Sequence, residues 1–406
     1  MKKYNIIDLF AGCGGLLDGF LQTGLYCPIA SVEWELPQVE TLRNRLKTKY
    51  NINDADKSVI RFDIQRTDEL INGFNDSEYG ESCGLKKIIR DREIDFVIGG
   101  PPCQAYSVAG RIRANDRMHN DYRNYLFEYY LKIVEYVNPK LFVFENVPGM
   151  LSAMPDGTPI IDLIRSGFKN IGFEIVEDIR NYALVNAHDY GVPQNRKRII
   201  LIGINKKYFS GNIQEILKDF YQDILPTYKE DGGTVGTAIG DLEKIYPTLS
   251  STSPSHILTR ECSISWHIPR FHAIRDVKIF KMLCEDIESG KNEFHDSNVL
   301  RDIYNQATGS ETKVHKYHVL KKDEPSTTIL AHLHKDGLRF IHYDSTQARS
   351  ITVREAARLQ SFDDDFNFIG SQGNAYKMIG NAVPPVLSKK IALAINDLIK
   401  KYREEL

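Results

Sequence analysis

The chain has 406 residues, 42% of them hydrophobic and 26% charged, and a formal net charge of −2. A chain of this length accommodates about two domains, and the composition is that of a soluble globular protein. The absence of any long apolar run excludes a membrane-spanning helix. Because the net charge is close to zero, any phosphate-binding surface must be a local cleft on a roughly neutral body.

The six cysteines are scattered at positions 13, 27, 83, 103, 262 and 284, and none of them forms a CxxC pair. This pattern predicts free thiols in a reducing compartment. The first residues lead directly into an apolar strand pattern, so no signal peptide is expected. We therefore expect a cytoplasmic protein.

The N-terminal segment predicts a strand, a glycine-rich turn and a helix. Residues 4–9 are apolar, residues 10–16 are Phe-Ala-Gly-Cys-Gly-Gly-Leu, and a helical pattern follows over 17–23. In an α/β sheet this arrangement presents backbone N–H groups to a cofactor. The glycines are closer together than in G-x-G-x-x-G, which argues against the dinucleotide fingerprint.

The next two predicted strands end at acidic residues. Strand 29–32 is followed by Glu33 and Trp34, and strand 59–62 is followed by Asp63. A glutamate at this place accepts hydrogen bonds from both hydroxyls of a ribose, and an indole ring offers adenine a stacking face. Asp63 is suited to accept from an adenine amino group. One such acid alone is typical of a solvated strand end. Together with the glycine-rich turn, however, three successive strand ends carry groups that suit a nucleoside, and this predicts nucleoside binding.

A cysteine follows the next predicted strand. Residues 94–98 are a buried-strand pattern, and Gly-Gly-Pro-Pro leads from them to Cys103. Glycines permit close backbone approach and prolines fix the path of a turn. The turn is therefore suited to hold a nucleophilic thiol in a fixed position. An isolated Pro-Cys pair would more often be a structural cysteine. The neighbouring motifs favour the nucleophile.

Charged residues also flank two later apolar strands. Strand 139–144 leads to Glu145, where partial desolvation would raise the pKa toward neutrality and suit the carboxyl to hold a proton. Arg196 and Arg198 precede strand 199–203. A guanidinium entering so apolar a strand needs an anion or a polar acceptor. A structural ion pair is the alternative interpretation of these groups.

Two helices are predicted near the C-terminus. The first spans 353–360 after a Thr352 cap. The second has an apolar face at helical spacing over 387–398.

Six sequence blocks occur in the order found in bacterial-type cytosine-C5 DNA methyltransferases, and the chain resembles that family. The family usually has Phe at the position of Tyr106 and Pro at the position of Asp363. The blocks leave only about 207–345 unmatched. They are residues 8–15, 99–107, 145–147, 194–198, 354–360 and 380–385.

The resemblance implies a Rossmann-like, S-adenosylmethionine-dependent methyltransferase fold, which is an α/β architecture with a mostly parallel, doubly wound sheet. The catalytic and cofactor-binding domain is expected to comprise 1–206 plus 346–406. Residues 207–345 are expected to form a smaller, irregular target-recognition domain, with residues 346–365 bracing it.

The resemblance also implies that a cytosine is flipped out of duplex DNA and receives a methyl group at C5 from S-adenosylmethionine. Cys103 would attack C6, and Glu145 would hold or protonate N3. Arg198, together with Arg196, would hydrogen-bond the base O2. The sequence does not identify the group that removes the C5 proton, and a water is one candidate.

By the same resemblance, the cofactor-binding positions are Asp8, Phe10, Gly12, Gly14, Gly15, Leu16, Glu33, Trp34, Asp63, Ile64, Pro101, Asn381 and Val383. The basic segment 108–117 fits a mobile lid with a hinge at Gly110. Four residues of the region after the nucleophile are expected to contact DNA: Gln104, Ser107, Arg111 and Arg113.

Within 207–345, charge alone does not identify the DNA-reading face. The candidates for contact with base edges are Arg260, Arg270, Arg275, Lys313, Lys316, His332, His334 and Lys335. The loose spacing of Cys262, His267 and His272 argues against zinc, and no metal is predicted.

Three alternatives stay open at this point. A nicotinamide dehydrogenase is disfavoured by the missing G-x-G-x-x-G, and a non-catalytic DNA-binding regulator by the presence of Cys103 and Glu145. The runner-up is a tRNA cytosine-C5 methyltransferase, whose Cys-Phe-Thr signature does not occur here. We expect a monomer acting on double-stranded DNA, with a cognate restriction endonuclease as functional partner in a restriction-modification system. The DNA sequence that is methylated does not follow from these patterns.

Overall fold

The computed structural model describes residues 3–102, 125–154, 157–248, 255–335 and 337–402. These residues fall into two compact units. The first unit takes its described residues from 1–191, 196–231 and 382–406, and the second takes them from 192–195 and 232–381.

A mostly parallel sheet forms the centre of the first unit. The strands of this unit are β1 (Tyr4–Leu9), β2 (Tyr26–Glu33), β3 (Val59–Arg61), β4 (Phe74–Asp76), β5 (Gly80–Ser82), β6 (Phe96–Gly99), β7 (Leu141–Asn146), β8 (Phe173–Glu174), β9 (Leu184–Asn186) and β10 (Lys197–Asn205). The strand order of the central sheet is β3-β2-β1-β6-β7-β10-β8, and β9 pairs with β10, whereas β4 and β5 form a separate two-stranded sheet. The pairs among β1, β2, β3, β6 and β7 are parallel, and β10 runs antiparallel to β7, β8 and β9.

The strands are continuous apolar runs because both faces of a parallel sheet are covered. In β6 and β7, for example, Val97, Ile98, Val143 and Phe144 are fully buried. The described helices of this unit are α1 (Gly15–Gln22), α2 (Leu36–Tyr50), α3 (Ala55–Ser58), α4 (Thr67–Asn72), α5 (Gly84–Ile89), α6 (Leu126–Val137), α7 (Ile160–Asn170), α8 (Ile179–Tyr182), α9 (Ile213–Asp219) and, near the end of the chain, α15 (Pro385–Tyr402).

The last helix packs against the first one. A Cβ placed on Gly19 of α1 would lie 2.3 Å from the carbonyl oxygen of Pro385 and 2.4 Å from Cβ of Ser388. Glycine at this position therefore lets the two backbones approach closely. The Tyr26 hydroxyl adds a 2.7 Å hydrogen bond to the Ala392 carbonyl.

The second unit is built from short elements. Its described strands and helices are α10 (Val235–Ile239), β11 (Ile245–Pro247), β12 (His256–Leu258), α11 (Ile274–Glu288), α12 (Ser297–Thr308), α13 (Val353–Leu359) and α14 (Gln372–Asn381). A core cluster forms around Phe280, Leu283 and Tyr317. Arg349 and Glu355 form a buried bidentate ion pair, with both N–O distances 2.7 Å. Thr352 caps α13 in a capping box, as its position predicted.

The units divide the chain at other points than residues 207 and 345. Residues 207–231 lie in the first unit, where Tyr221 donates a 2.8 Å hydrogen bond to Ile200 of β10. Residues 346–381 lie in the second unit, where the side chain of Gln347 accepts from the Ile245 backbone at 3.0 Å. These side-chain hydrogen bonds join separate segments of the chain. No local sequence pattern therefore shows where the boundaries between the two units lie.

No helix in the part of the chain that the structure describes has both the length and the apolar character needed to cross a bilayer. The cysteines of that part, at positions 13, 27, 83, 262 and 284, are all free thiols.

The close packing of α1 on α15 makes a stability prediction. Gly19→Ala is expected to lower the free energy of unfolding by about 1–3 kcal/mol, because the added methyl group collides with backbone and outweighs the helix propensity of alanine. Gly373 of α14 is the matched control, since its nearest neighbour to an added Cβ is 3.7 Å away. Gly373→Ala is expected to raise stability by up to about 1 kcal/mol. Urea unfolding of both variants checks the sign, and two equal effects would contradict this account of Gly19.

Candidate active site

The strand order places a crevice beside β1. The chain fills the sheet from β1 to β3 on one side and continues with β6 and β7 on the other. In open α/β sheets, ligands bind at the carboxyl ends of the strands where the order reverses in this way. Here that point lies between β1, which ends at Leu9, and β6, which ends at Gly99, and the two residues are paired in register.

The turn after β1 is bent by residues in left-handed conformations. Phe10, Gly12 and Gly14 have φ values of 56°, 56° and 91°. Such a conformation is unfavourable for phenylalanine, and strain of this kind is typical of ligand-binding turns. The Gly12 N–H donates a 2.9 Å hydrogen bond to Oε2 of Glu33. The turn after β1 is thereby tied to the end of β2.

Glu33 and Trp34 lie where the sequence placed them, at the carboxyl end of β2. Oε1 of Glu33 accepts hydrogen bonds from the backbone of Trp34 and of Glu35, each 2.9 Å long. Burial raises the pKa of Glu33, and the hydrogen bonds from Glu35 and Gly12 oppose that rise. The Trp34 side chain is 49% exposed, so its ring face is open to a ligand.

The other predicted cofactor residues differ in their exposure. Asp63 is half-buried after β3, and its Oδ1 accepts from the Gln65 backbone at 3.0 Å. Asp8 is 1% exposed, and burial raises the pKa of its carboxyl well above the ordinary value. The positions buried in the first unit are Gly14, Gly15, Leu16, Ile64, Pro101 and Val383, and those of intermediate exposure are Phe10 and Gly12. Asn381 is exposed and belongs to the second unit.

Gly100 and Glu145 meet at the ends of β6 and β7. A Cβ at Gly100 would lie 2.6 Å from Oε2 of Glu145, so only glycine lets this carboxylate take its place. The side-chain amide of Asn146 donates to the Pro101 carbonyl at 3.3 Å, and its oxygen accepts from the Val147 backbone at 2.7 Å. The Pro-Pro turn is therefore anchored to β7. Sequence reasoning assigned Gly100 only a general role in close backbone approach and assigned Asn146 none, although both lie inside the recognised blocks.

Glu145 and Arg198 form an ion pair across the antiparallel strands β7 and β10. Nε of Arg198 lies 2.8 Å from Oε1 of Glu145, and the side chains are 11% and 12% exposed. Burial raises the pKa of Glu145, whereas Arg198 and Arg196 lower it, and the net shift is upward. Burial lowers the pKa of Arg198, against the effect of Glu145. The carboxyl is therefore poised to take up a proton more readily than an ordinary glutamate.

Arg196 is completely buried beside this pair. Its Nη2 donates to the Ala382 carbonyl at 2.9 Å, and its backbone N–H donates to the side chain of Asn186 at 3.1 Å. Burial lowers the pKa of Arg196 well below the ordinary value, and the charge of Arg198 lowers it further. Arg196 thus connects the β10 strand to the segment before α15.

The remaining catalytic and DNA-contact predictions lie outside the described residues: Cys103, Gln104, Ser107, Arg111 and Arg113, with the rest of segment 108–117 and its Gly110.

In the second unit, four of the eight candidates for DNA contact line one cavity. Arg270, Arg275, His334 and Lys335 surround a volume of about 480 Å³, together with the exposed ring of Phe271. The other candidates, Arg260, Lys313, Lys316 and His332, do not line it. His267 bonds Thr352 and Glu243, and His272 bonds Ser350.

Comparisons with known proteins agree over nearly the whole chain. The model of the C-5 cytosine-specific DNA methylase family matches residues 4–397. Type II methyltransferase M.Bpa9945I of Bacillus paralicheniformis is 34% identical over 456 residues, covering 98% of this chain and 99% of the relative. Type II methyltransferase M1.HphI of Haemophilus parahaemolyticus is 31% identical over 389 residues, covering 96% and 86%.

Solved structures share the fold. A DNA modification methyltransferase encoded within a prophage, from E. coli, superimposes with a TM-score of 0.59 at 24% identity, covering 98% of this chain and 100% of that one. The Dnmt2 methyltransferase of S. pombe gives a TM-score of 0.54 at 13% identity, covering 98% and 99%.

The mostly parallel sheet with its crevice beside β1 has the Rossmann-like fold of methyltransferases, as expected from the sequence. The chain belongs to the C-5 cytosine-specific DNA methylase family and is a DNA (cytosine-5-)-methyltransferase. This assignment excludes the nicotinamide dehydrogenase.

The buried ion pair makes a prediction about proton affinity. Arg198→Met is expected to raise the pKa of Glu145 further, because the change removes the cation that lowers it most. Since a raised carboxyl pKa stabilises the fold at low pH and that contribution is lost as pH rises through the folded pKa, the variant should lose more stability toward neutral pH. NMR titration of ¹³C-labelled glutamate carboxyls measures the shift. Lys197→Met, an exposed neighbour on the same strand, should leave the Glu145 titration unchanged; equal titrations in both variants would refute the coupling.

Proposed function

We propose that the protein flips a cytosine out of a specific duplex site and methylates its C5 through transient covalent attack of Cys103 on C6. The observation that carries the proposal is the buried Glu145–Arg198 pair against Gly100, three residues before Cys103 in the chain. A cysteine three residues after a glycine that contacts a carboxyl of raised pKa, which is itself paired with a guanidinium, is a combination suited to nucleophilic attack on a pyrimidine ring.

Glu145 supplies the proton balance in this mechanism. Attack at C6 pushes electron density toward N3, and a negative charge there is costly in a site from which water is excluded. A carboxyl whose burial raises its pKa holds a proton at N3 and neutralises that charge. The 2.8 Å contact with Arg198 fixes the carboxyl's orientation without removing its proton affinity.

Arg198 and Arg196 act at the O2 atom, next to N3 on the same edge of the ring. Arg198 has N–H groups beyond the one on Glu145, and its Nη1 donates to the Lys197 carbonyl at 2.8 Å. We assign it to the base O2, where charge develops during attack. Arg196 is hydrogen-bonded to the Ala382 carbonyl and helps to hold Arg198 in this position.

Extrusion of the base is required because a paired cytosine does not expose C6 to a nucleophile.

The residues at the ends of β1, β2 and β3 fit S-adenosylmethionine, which supplies the methyl group when it is bound. The turn of Phe10, Gly12 and Gly14 is a tight cradle, since a Cβ on Gly14 would lie 2.5 Å from the side chain of Leu42. The carboxylate of Glu33 suits the ribose hydroxyls and the face of Trp34 suits the adenine. Asp63 and Ile64 would complete the adenine side.

The wider context follows from the relatives. Those at 34% and 31% identity are named type II methyltransferases, which supports membership of a restriction-modification system with a cognate endonuclease as functional partner. The second unit would then recognise the target sequence.

Expression of the chain in a host that lacks cytosine methylation tests the mechanism and the substrate together. Bisulfite sequencing of the host DNA should show 5-methylcytosine at one recurring sequence. Cys103→Ala should abolish it while leaving S-adenosylmethionine binding intact by calorimetry. Cys83→Ala, which changes an exposed thiol, should retain full methylation. Full activity of Cys103→Ala, or transfer of labelled methyl to tRNA and not to duplex DNA, would refute the proposal.

The cofactor assignment has its own test. Trp34→Ala is expected to raise the Kd for S-adenosylmethionine about 5- to 150-fold, because one ring stacked on a base contributes ~1–3 kcal/mol. Leu36→Ala removes a neighbouring apolar side chain that is 42% exposed and should leave this Kd within about twofold. Calorimetric titration of the purified variants measures both Kd values, and equal affinities in both variants would show that Trp34 does not contact the cofactor.

A further inference from the structure

Side chains of the second unit converge on a cavity that we call the basic cleft. It encloses about 480 Å³ and is lined by Arg270, Phe271, Arg275, Asp276, His334 and Lys335, among others. Three of these residues are cationic and one is anionic. The chain as a whole has a net charge of −2, so this excess of positive charge is local.

Arg270 is held rigidly in the wall of the cleft. Its guanidinium carbon lies 4.4 Å from the centre of the Tyr376 ring, and its Nη2 donates to the Leu333 carbonyl at 2.7 Å. Its Nε is buried and has no hydrogen-bond partner among the described residues. No carboxylate of the described chain forms an ion pair with Arg270. Among the described residues, Arg270 is therefore a fixed cation without a carboxylate partner in the wall of the cleft.

Arg275 does not add to that excess. Its Nη2 lies 2.9 Å from Oδ1 of Asp276, its Nε donates to the same oxygen, and its Nη1 donates to the Ala307 carbonyl. Asp276 thus neutralises Arg275, and the positive charge of the cleft rests on Arg270 and Lys335.

Lys335 and His334 also line the cleft. Lys335 is exposed, and within the described residues its ammonium has no carboxylate at ion-pair distance. Nδ1 of His334 lies 2.6 Å from the Ala331 carbonyl oxygen, which can only accept, so Nδ1 carries the proton. Nε2 of the neutral ring is then an acceptor, so His334 donates no hydrogen bond to an anion and the two cations must bind it. A flexible lysine beside a fixed arginine is a combination that binds a tetrahedral anion.

The start of α11 strengthens the field at the same place. The Ala273 cap has no side-chain hydrogen bond, so the first N–H groups of this 15-residue helix are not capped by a side chain. Their partial positive charge favours an anion, and Asp276 in the first turn offsets part of it. The exposed Phe271 ring, at 49%, gives the cleft an apolar rim.

We propose that the basic cleft binds a backbone phosphate of the duplex DNA substrate through Arg270 and Lys335. This inference rests on the proposed role of the second unit in target recognition and narrows it to one surface. A phosphate contact fixes the register of the protein on DNA without itself reading sequence. It also reconciles a nearly neutral chain with a polyanionic substrate.

The salt dependence of DNA binding by the full chain tests this proposal. The probe is a mixed-sequence duplex titrated by fluorescence anisotropy at several NaCl concentrations. Lys335→Ala should reduce the slope of log Kobs against log salt by about 0.9, so that the wild type loses about 3.5-fold more affinity than the variant between about 50 and 200 mM salt. Lys291→Ala is the matched control. Lys291 is an exposed lysine beyond the other end of α11, about 22 Å from the cleft along the helix axis.

Each outcome decides something different. An unchanged slope for Lys335→Ala, or an equal reduction in Lys291→Ala, would overturn the phosphate contact. A loss of affinity with an unchanged slope would assign Lys335 to a base edge instead and would also overturn it. If inorganic phosphate inhibits duplex binding by the wild type but not by Lys335→Ala, at matched ionic strength, the ion competes with DNA for the cleft, which supports the phosphate contact. Methylation of duplex DNA by the wild type, measured in parallel, tests the proposed function separately.

Discussion

The direction in which the sheet is filled on either side of β1 determines where the chemistry of the first unit is placed. Because β2 and β3 lie on one side of β1 while β6 and β7 lie on the other, parallel strands that are distant in sequence end at one edge. The pairing of Leu9 with Gly99, and of Gly99 with Phe144, aligns those ends in register. A glycine turn, a Pro-Pro turn and a glutamate thereby meet at one crevice, which no local property of any of the three would produce.

Burial of the charged groups at this crevice costs free energy, and this cost indicates that the groups have a functional role. A buried ion pair contributes little net stability, because desolvation of both groups offsets their attraction. Glu145 and Arg198 are nevertheless held together between strands of otherwise apolar residues, with Arg196 fully buried beside them. Strongly perturbed proton affinities in such places are typical of reactive sites. Glycine at position 100 also indicates a functional site, because the Glu145 carboxylate fills the space that a side chain there would occupy.

The two units use charge in different ways. At the crevice of the first unit, Arg196 and Arg198 are buried, and Arg198 is paired with Glu145. In the basic cleft of the second unit, Arg270 is fixed by stacking and by one hydrogen bond, while Lys335 is exposed. The cleft thus collects positive charge from separate segments of a chain whose net charge is −2.

The sequence by itself determined the family and the methyltransferase fold, and it placed Glu33, Trp34, Glu145 and Arg198 at or beside strand ends, because apolar periodicity and short motifs are local properties of the chain. The tertiary structure decided what depends on distance between segments. It fixed the order of the strands in the sheet, joined Glu145 to Arg198, buried Asp8, divided the chain into units at points other than residues 207 and 345, and brought four of eight basic candidates to one cleft. Such outcomes are set by packing and by hydrogen bonds between residues tens to hundreds of positions apart, and no pattern within a single segment encodes them.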